Sequence, residues 1–331
     1  MVVDFQDSQE GHLDTMFSLD GTPSTWDELR WLDAFRDAVR RGDGFRPLRA
    51  EVFRHTCDVV RRGNYRVDGH NVQLRAVVPL ESHASFYTRP EPLDAPDLQS
   101  RVTTAVIVQN ADCVEVAQLL REAGFRPAVL NMANRQTPGG GVLGGAGAQE
   151  ENLFRRSDLF VSLYPFVDFC EQYGLVRDRR HSYPLDRRTG GIHSPDVTFF
   201  RASEANGYRL LKVPFSVSVI TVPAINGPEL VAGPRGMRIV DSLVERTREK
   251  IRTILRIAGS HRHDALVLGA LGCGAFRNPP AHVAELFAEV FCEPEFDGRF
   301  RVIQFAILDD HNSRKAHNPD GNVLPFLRVF G

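Results

Sequence analysis

Gly139-Gly140-Gly141-Val142-Leu143-Gly144-Gly145-Ala146-Gly147-Ala148-Gln149-Glu150-Glu151 is the stretch on which the reading of this chain turns. Upstream, Ala128-Val129-Leu130 is a short apolar run of strand length. Downstream, Leu153, Leu159 and Leu163 predict a helix. Glycine lets backbone N–H groups approach a ligand with no Cβ in the way, and the first N–H groups of a helix are unpaired. Strand, glycine turn and helix N-terminus in that order make a site for phosphate. The competing reading is a flexible surface loop. The position at the carboxyl end of a strand, where α/β sheets hold their ligands, favours the site. Gln149, Glu150 and Glu151 fall in the first helical turn, where acids also serve simply to complement the helix dipole. Adjacent helical residues point roughly 100° apart, so one glutamate is expected to face the ligand while the other braces the loop.

Outward from this segment, strands and helices alternate. Asn71 onward alternates, with Val72, Leu74, Ala76 and Val78 on one face of a strand. Val106-Ile107-Val108 reads as a fully apolar strand, followed by an amphipathic helix through Val114, Ala117 and Leu120 to Gly124. Val217 to Val222, Ala265 to Leu271 and Val302 to Leu308 read as further strands, with helices over 237–258 and 280–292. Residues 176–208 are polar and rich in Arg, Gly and Pro, and read as a long excursion. Toward the N-terminus, Thr25 and Glu28 spell a capping box. Leu29, Leu32, Phe35 and Val39 trace a helical stripe, and Gly42 supplies a stop. A second helix opens at Pro47, carries Leu48, Val52, Thr56, Val59 and Val60, and ends at Gly63. The expected fold is a three-layer α/β/α domain over residues 66–331, a helical extension over 21–65 packed on it, and a loose arm over 1–20.

The chain has 331 residues and a formal charge of -2, so any anionic ligand must be held locally rather than by bulk charge. Direct nucleic-acid binding is not expected. Cys57, Cys113, Cys170, Cys273 and Cys292 are scattered, contain no CxxC pair and fit neither a disulfide framework nor a zinc site. There is no basic-then-apolar leader, and no apolar run of roughly 18–20 residues that would span a bilayer. A soluble cytoplasmic protein with reduced thiols, no metal and no cofactor is expected, as a monomer.

Asn131-Met132-Ala133-Asn134, Pro138 to Gly141 and Gln149 to Glu151 together resemble the poly(ADP-ribose) glycohydrolases, whose signature is three glycines, a short spacer (here Val142 to Ala148) and Gln-Glu-Glu. The likeness is to the short bacterial class and runs over about residues 50–331. It implies a macrodomain-like fold with a mixed central sheet, an ADP-ribose pocket and reversal of ADP-ribosylation, as in the DNA damage response. By that resemblance Glu151 is the catalytic acid and base, Glu150 the supporting carboxylate, Gln149 a loop anchor, and Asn134 a partner of the distal ribose. Gly139, Gly140 and Gly141 belong to the same pocket. A second glycine turn, Gly269 to Gly274, follows a predicted strand. Its Gly272, Cys273 and Gly274 are similar to the family's diphosphate loop, with Ala275 next and Phe276 on the ribose. Cys273 stands in no recognisable relation to a histidine, so it is not read as a nucleophile.

The resemblance implies poly(ADP-ribose) and ADP-ribosylated proteins as partners, with ADP-ribose as product. Two rivals keep the fold: a hydrolase of single ADP-ribose units on protein, and a non-catalytic ADP-ribose-binding macrodomain, which needs no acid. A nicotinamide-nucleotide oxidoreductase fits poorly, because neither loop spells GxGxxG with an acid about 20 residues on. Arg177, Arg179, Arg180, Arg187 and Arg188 form a basic cluster, read as a solvated loop against contact with polymer phosphates. His261 and His263 are read as dipole partners at a helix end, and Trp26 and Trp31 as packing residues. His311 and His317 support no cluster.

Overall fold

The computed structural model describes residues 23–74, 83–234, 236–309 and 313–331. Its helices, in chain order, are α1 (Glu28–Arg41), α2 (Arg46–Arg62), α3 (Cys113–Glu122), α4 (Gln149–Arg156), α5 (Leu159–Leu163), α6 (Asp241–Ser260), α7 (Pro280–Phe291) and α8 (Val323–Phe330). Its strands are β1 (Asn64–Val67), β2 (His70–Gln73), β3 (Ser85–Tyr87), β4 (Ala105–Gln109), β5 (Pro127–Met132), β6 (Gly191–Arg201), β7 (Leu210–Val222), β8 (Leu230–Gly233), β9 (Gly236–Ile239), β10 (Ala265–Leu268) and β11 (Val302–Ala306).

Among the described residues, seven strands form one sheet in the order β3-β6-β7-β5-β10-β11-β4. The strands from β7 to β4 are mutually parallel, while β6 runs antiparallel to β7 and β3 antiparallel to β6. Parallel strands covered on both faces read as continuous apolar runs, and β5 does. Val129, Val219 and Val267 pack with α3, α4 and α5 on one face. Ala128, Leu130, Ile220, Leu266 and Leu268 pack with α6 and α7 on the other. This is the expected three-layer arrangement with a mixed sheet. Among the described residues no helix is long and apolar enough to cross a membrane.

Several local expectations are corrected. Asp27, not Thr25, caps α1, its carboxylate accepting from the Arg30 N–H at 2.9 Å. The buried face of α1 carries Trp31 and Ala38, whereas Leu29 and Val39 are 68% and 53% exposed. Trp31 sets that rotation: its ring packs edge-on against Tyr208 and its Nε1 donates to the Leu48 carbonyl. Trp26 likewise donates to the Gly207 carbonyl, so both tryptophans are packing residues. The predicted helix after the glycines is broken into α4 and α5 by Ser157, which is extended and bridges to Phe199 of β6.

The polar excursion over 176–208 contains β6, a buried strand of the main sheet. Pro195 and Asp196 hid it, since proline demotes a run from a central strand. Both sit where the pairing with β7 shifts register between Ser194 and Val197, and a bulge tolerates them there. The helix over 237–258 starts only at Asp241, because 236–239 is β9, paired with β8 in a hairpin. Val106 to Val108 lies in β4 at the sheet edge, with Ile107 exposed. The alternating segment from Asn71 is β2 in a hairpin with β1. Its Ala76 and Val78, like residues 1–20 and His311, lie outside the described residues.

His261 caps α6 but is no dipole partner. Its ring stacks on His193 at 3.6 Å, its Nε2 meets the Tyr87 hydroxyl at 2.8 Å, and burial pushes it toward the neutral form. His263 is also buried, with its pKa lowered, and meets His193 at 2.9 Å.

Candidate active site

The site lies at the carboxyl ends of the adjacent parallel strands β5 and β10. β5 ends in a polar residue inside an apolar layer. Asn131 is buried, and its Nδ2 donates to Glu150 Oε1 at 3.3 Å and to Thr221 Oγ1 at 3.2 Å. Beyond β5 the Asn134 N–H donates to Glu150 Oε2 at 2.7 Å, and the Gly139 N–H donates to Glu150 Oε1 at 3.1 Å. The Gly141 N–H donates to Glu151 Oε1 at 2.9 Å. The remaining N–H of the triplet, on Gly140, donates to the Thr137 carbonyl. Two of the triplet's three N–H groups therefore hold carboxylates and the third closes a turn, so none is left for a phosphate. Gly140 shows why glycine is needed. It has φ +52°, and a Cβ there would stand 2.6 Å from Glu151 Oε1 and 3.3 Å from Glu150 Oε2.

Gln149 locks the start of α4 onto the end of β5. Its Oε1 accepts from the Met132 N–H at 2.9 Å, and its Nε2 donates to the Leu130 carbonyl at 2.7 Å. With the helix so anchored, Glu150 and Glu151 are only 3% and 7% exposed. Their surroundings differ. Three N–H donors face the oxygens of Glu150, whereas Glu151 Oε2 is buried with no hydrogen-bond partner among the described residues. Charge-assisted hydrogen bonds are worth about 1.5–3 kcal/mol each, against several kcal/mol for burying a carboxylate. Burial, with the Glu151 charge beside it, prevails over those bonds and lifts Glu150 to about 8.

The Asn134 Oδ1 accepts from the N–H groups of Gln136 and Thr137 at 2.8 and 3.2 Å, closing a local turn. Its Nδ2 donates to nothing among the described residues. The second loop leaves β10 beside the first, close enough that a Cβ on Gly269 would lie 2.9 Å from the Met132 methyl carbon. Gly272 has φ +74° and sits against Ala224 and Asn278. Asn278 is buried, and its Nδ2 donates to the Ile225 and Gly272 carbonyls at 2.8 and 3.1 Å, which fixes the curve of the loop. The N–H groups of Gly274, Ala275 and Phe276 donate to nothing among the described residues, so they are free for an anion. Phe276 is half-buried against the α6–α7 core. Cys273 is fully buried, and burial pushes its thiol well up, which leaves it to act through its backbone.

Four residues of the site were missed from sequence. Asn131 was signalled by a polar side chain ending an apolar strand, and Asn278 by an asparagine closing a glycine turn before Pro279. Tyr183 gave no local signal: its hydroxyl is buried without a partner, and burial together with the Glu150 charge holds it protonated. Arg49 gave none either. From α2 it lies over Gly147, where a Cβ would overlap its guanidinium, and it grips Glu204 through Nε and Nη2 at 2.7 and 2.6 Å.

A family model described as "Microbial-type PARG, catalytic domain" matches residues 54–202. The poly(ADP-ribose) glycohydrolase of Thermomonospora curvata, solved with the inhibitor ADP-HPD, is 32% identical with a TM-score of 0.63. The match covers 85% of this chain and 99% of that one. The chain belongs to the bacterial poly(ADP-ribose) glycohydrolase family. The Deinococcus radiodurans poly(ADP-ribose) glycohydrolase, solved with ADP-ribose, is 34% identical with a TM-score of 0.53, over 70% of this chain and 86% of that one. Comparison with the curated proteins by sequence finds no match. The α/β/α arrangement described above is thus the macrodomain-like fold of the family. The family match spans the triple glycine and both glutamates, but not the second glycine turn.

Proposed function

We propose that this chain hydrolyses the ribose–ribose O-glycosidic bonds of poly(ADP-ribose) and releases ADP-ribose, with Glu151 moving the proton. One observation carries the assignment of roles: of the two buried carboxylates, only Glu151 keeps an oxygen with no donor facing it among the described residues. A buried polar atom left without a partner costs about 1–3 kcal/mol, so Oε2 gains its partner when substrate arrives. That oxygen is the one from which a proton can pass to substrate, since donors already occupy both oxygens of Glu150. The diphosphate of a bound substrate adds negative charge nearby, which favours a protonated carboxyl group in the site.

In the forward step Glu151 gives its proton to the leaving 2′ oxygen, the bond to the distal anomeric carbon breaks, and that carbon acquires oxocarbenium character. Water then attacks the carbon and returns a proton to Glu151. Glu150, fixed by Asn131, Asn134 and Gly139, holds the glycine triplet in place and orients sugar hydroxyls. The free Nδ2 of Asn134 takes the distal ribose. The free N–H groups of Gly274 to Phe276 take the diphosphate. Polymer carried on ADP-ribosylated proteins is the substrate in this reading.

Wild-type protein incubated with purified polymer is expected to release ADP-ribose, measured by chromatography. The acid must carry its proton, so kcat should be high below pH 8. It should fall as pH rises through about 8, where Glu150 ionises. Binding of polymer with no release of ADP-ribose would leave a binding module instead.

A further inference from the structure

Beside the site lies a group of cations with almost nothing to pair with. We propose that Arg135, Arg187, Arg188, Arg246 and Lys250 form a second anion subsite, which takes the diphosphate of the polymer unit next to the one being released. It rests on the polymer-hydrolysing reading above. Three elements bring these side chains together. Arg135 follows Asn134 directly, and its Nη1 donates to the Leu185 carbonyl at 3.0 Å while its own carbonyl accepts from the Leu185 N–H. Arg246, from the first half of α6, donates through Nε to the Arg187 carbonyl at 3.1 Å. The turn carrying Arg187 and Arg188 is thereby clamped between the catalytic loop and α6.

Among the described residues Asp186 is the acid that faces Arg246 and Lys250, and its Oδ1 accepts from the N–H groups of Arg188 and Thr189 at 2.8 and 2.9 Å. No ion pair reaches the five cations among the described residues. The contrast within α6 is informative. Arg248, Arg252 and Arg256 on the same helix are each paired with glutamates, chiefly Glu289, Glu293 and Glu295. Arg246 and Lys250, one turn apart on a different face, have none. A solvated basic face accounts for Arg187 and Arg188 taken alone. It does not account for Lys250, which is 1% exposed and whose Nζ has no partner. Burial and the neighbouring Arg246, with Arg135, press the Lys250 pKa down to about 7 against the opposing charge of Asp186, and Arg187 and Arg135 add to burial in lowering that of Arg246. Crowding five cations around a single acid destabilises the free protein. A diphosphate relieves it, and each unit of this polymer carries one.

The measurement is binding of labelled polymer to Glu151→Gln protein, together with KM and kcat of catalytically intact protein at several salt concentrations. Arg188→Gln/Arg246→Gln is expected to weaken polymer binding and raise KM about tenfold at low salt, with kcat and the inhibition constant for ADP-ribose unchanged. The slope of log affinity against log salt should fall by about 0.7 for each phosphate that the variant no longer neutralises. Lys250→Met supplies a readout that a merely structural role would not give: its melting temperature should rise while polymer affinity drops. Unchanged affinity and salt slope in the double variant would overturn the proposal, as would a Lys250→Met protein that is more stable yet binds polymer as well as wild type. Because binding is read in a hydrolysis-dead background, absence of wild-type hydrolysis would count against the catalytic reading alone.

Discussion

Replacing Glu151 with Gln is expected to lower kcat by about 10³-fold while leaving the fold intact, the size of effect a positioned general acid–base provides. The amide keeps the volume of the carboxyl group, and its oxygen can still accept from the Gly141 N–H, so the loop stays in place. What is lost is the transferable proton at Oε2, the oxygen without a donor. Glu150→Gln makes an informative contrast. There the new NH₂ must face either the Asn134 N–H or the pair formed by Gly139 N–H and Asn131 Nδ2, donor against donor. That variant should lose about 1–3 kcal/mol of stability in addition to activity. Single-turnover hydrolysis and thermal melts on both variants separate the roles. A Glu151→Gln enzyme within tenfold of wild type would refute the assignment, as would loss of stability confined to Glu151→Gln.

What the sequence revealed here, and what it concealed, follows from the range of the interactions involved. α2 was readable because Pro47 and Gly63 punctuate it locally and Val52, Thr56, Val59 and Val60 recur on one face. β5 was readable because both its faces are covered, which leaves an uninterrupted apolar run. β6 was not, since the register shift that accommodates Pro195 and Asp196 exists only against β7. The α1 stripe was misjudged for the same reason. Leu29 and Trp31 compete for the buried side, and the ring of Tyr208, far along the chain, decides between them. Gln149, Glu150 and Glu151 stand out in sequence as a triplet after glycines. That Gly139 and Gly141 give their N–H groups to those carboxylates, instead of to a ligand, depends on a loop path that no spacing encodes.

The second large effect is expected at Gly145, and it concerns what the N-terminal helices do for the site. Gly145 has φ +70°, and a Cβ there would overlap the Arg46 carbonyl at the start of α2. Backbone cannot yield as a side-chain tip would, so the loop and α2 must part. A left-handed alanine costs about 1–2 kcal/mol and overpacking about 1–3 kcal/mol more. Gly145→Ala should therefore lower the melting temperature by about 5 °C. The loss would reach the chemistry, because the loop is held from both sides. On one side Arg49 lies over Gly147 and is anchored on Glu204. On the other, Arg155 donates through Nη1 to the Ala146 carbonyl at 2.8 Å and through Nε to the Tyr208 hydroxyl at 2.8 Å, and that hydroxyl donates to Glu204 at 2.9 Å. Glu204 thus ties both clamps together. Freed from α2, the loop carrying Gly141 releases Glu151 Oε1, and kcat should fall at least tenfold. Gly144→Ala is the matched control: its Cβ would meet nothing within 4 Å and its φ needs no glycine, so both stability and kcat should stay at wild-type values. Equal behaviour of the two alanine variants would show that α2 does not seat the loop, whereas a Gly145→Ala protein that melts early but keeps full kcat would confine the helices to a structural role.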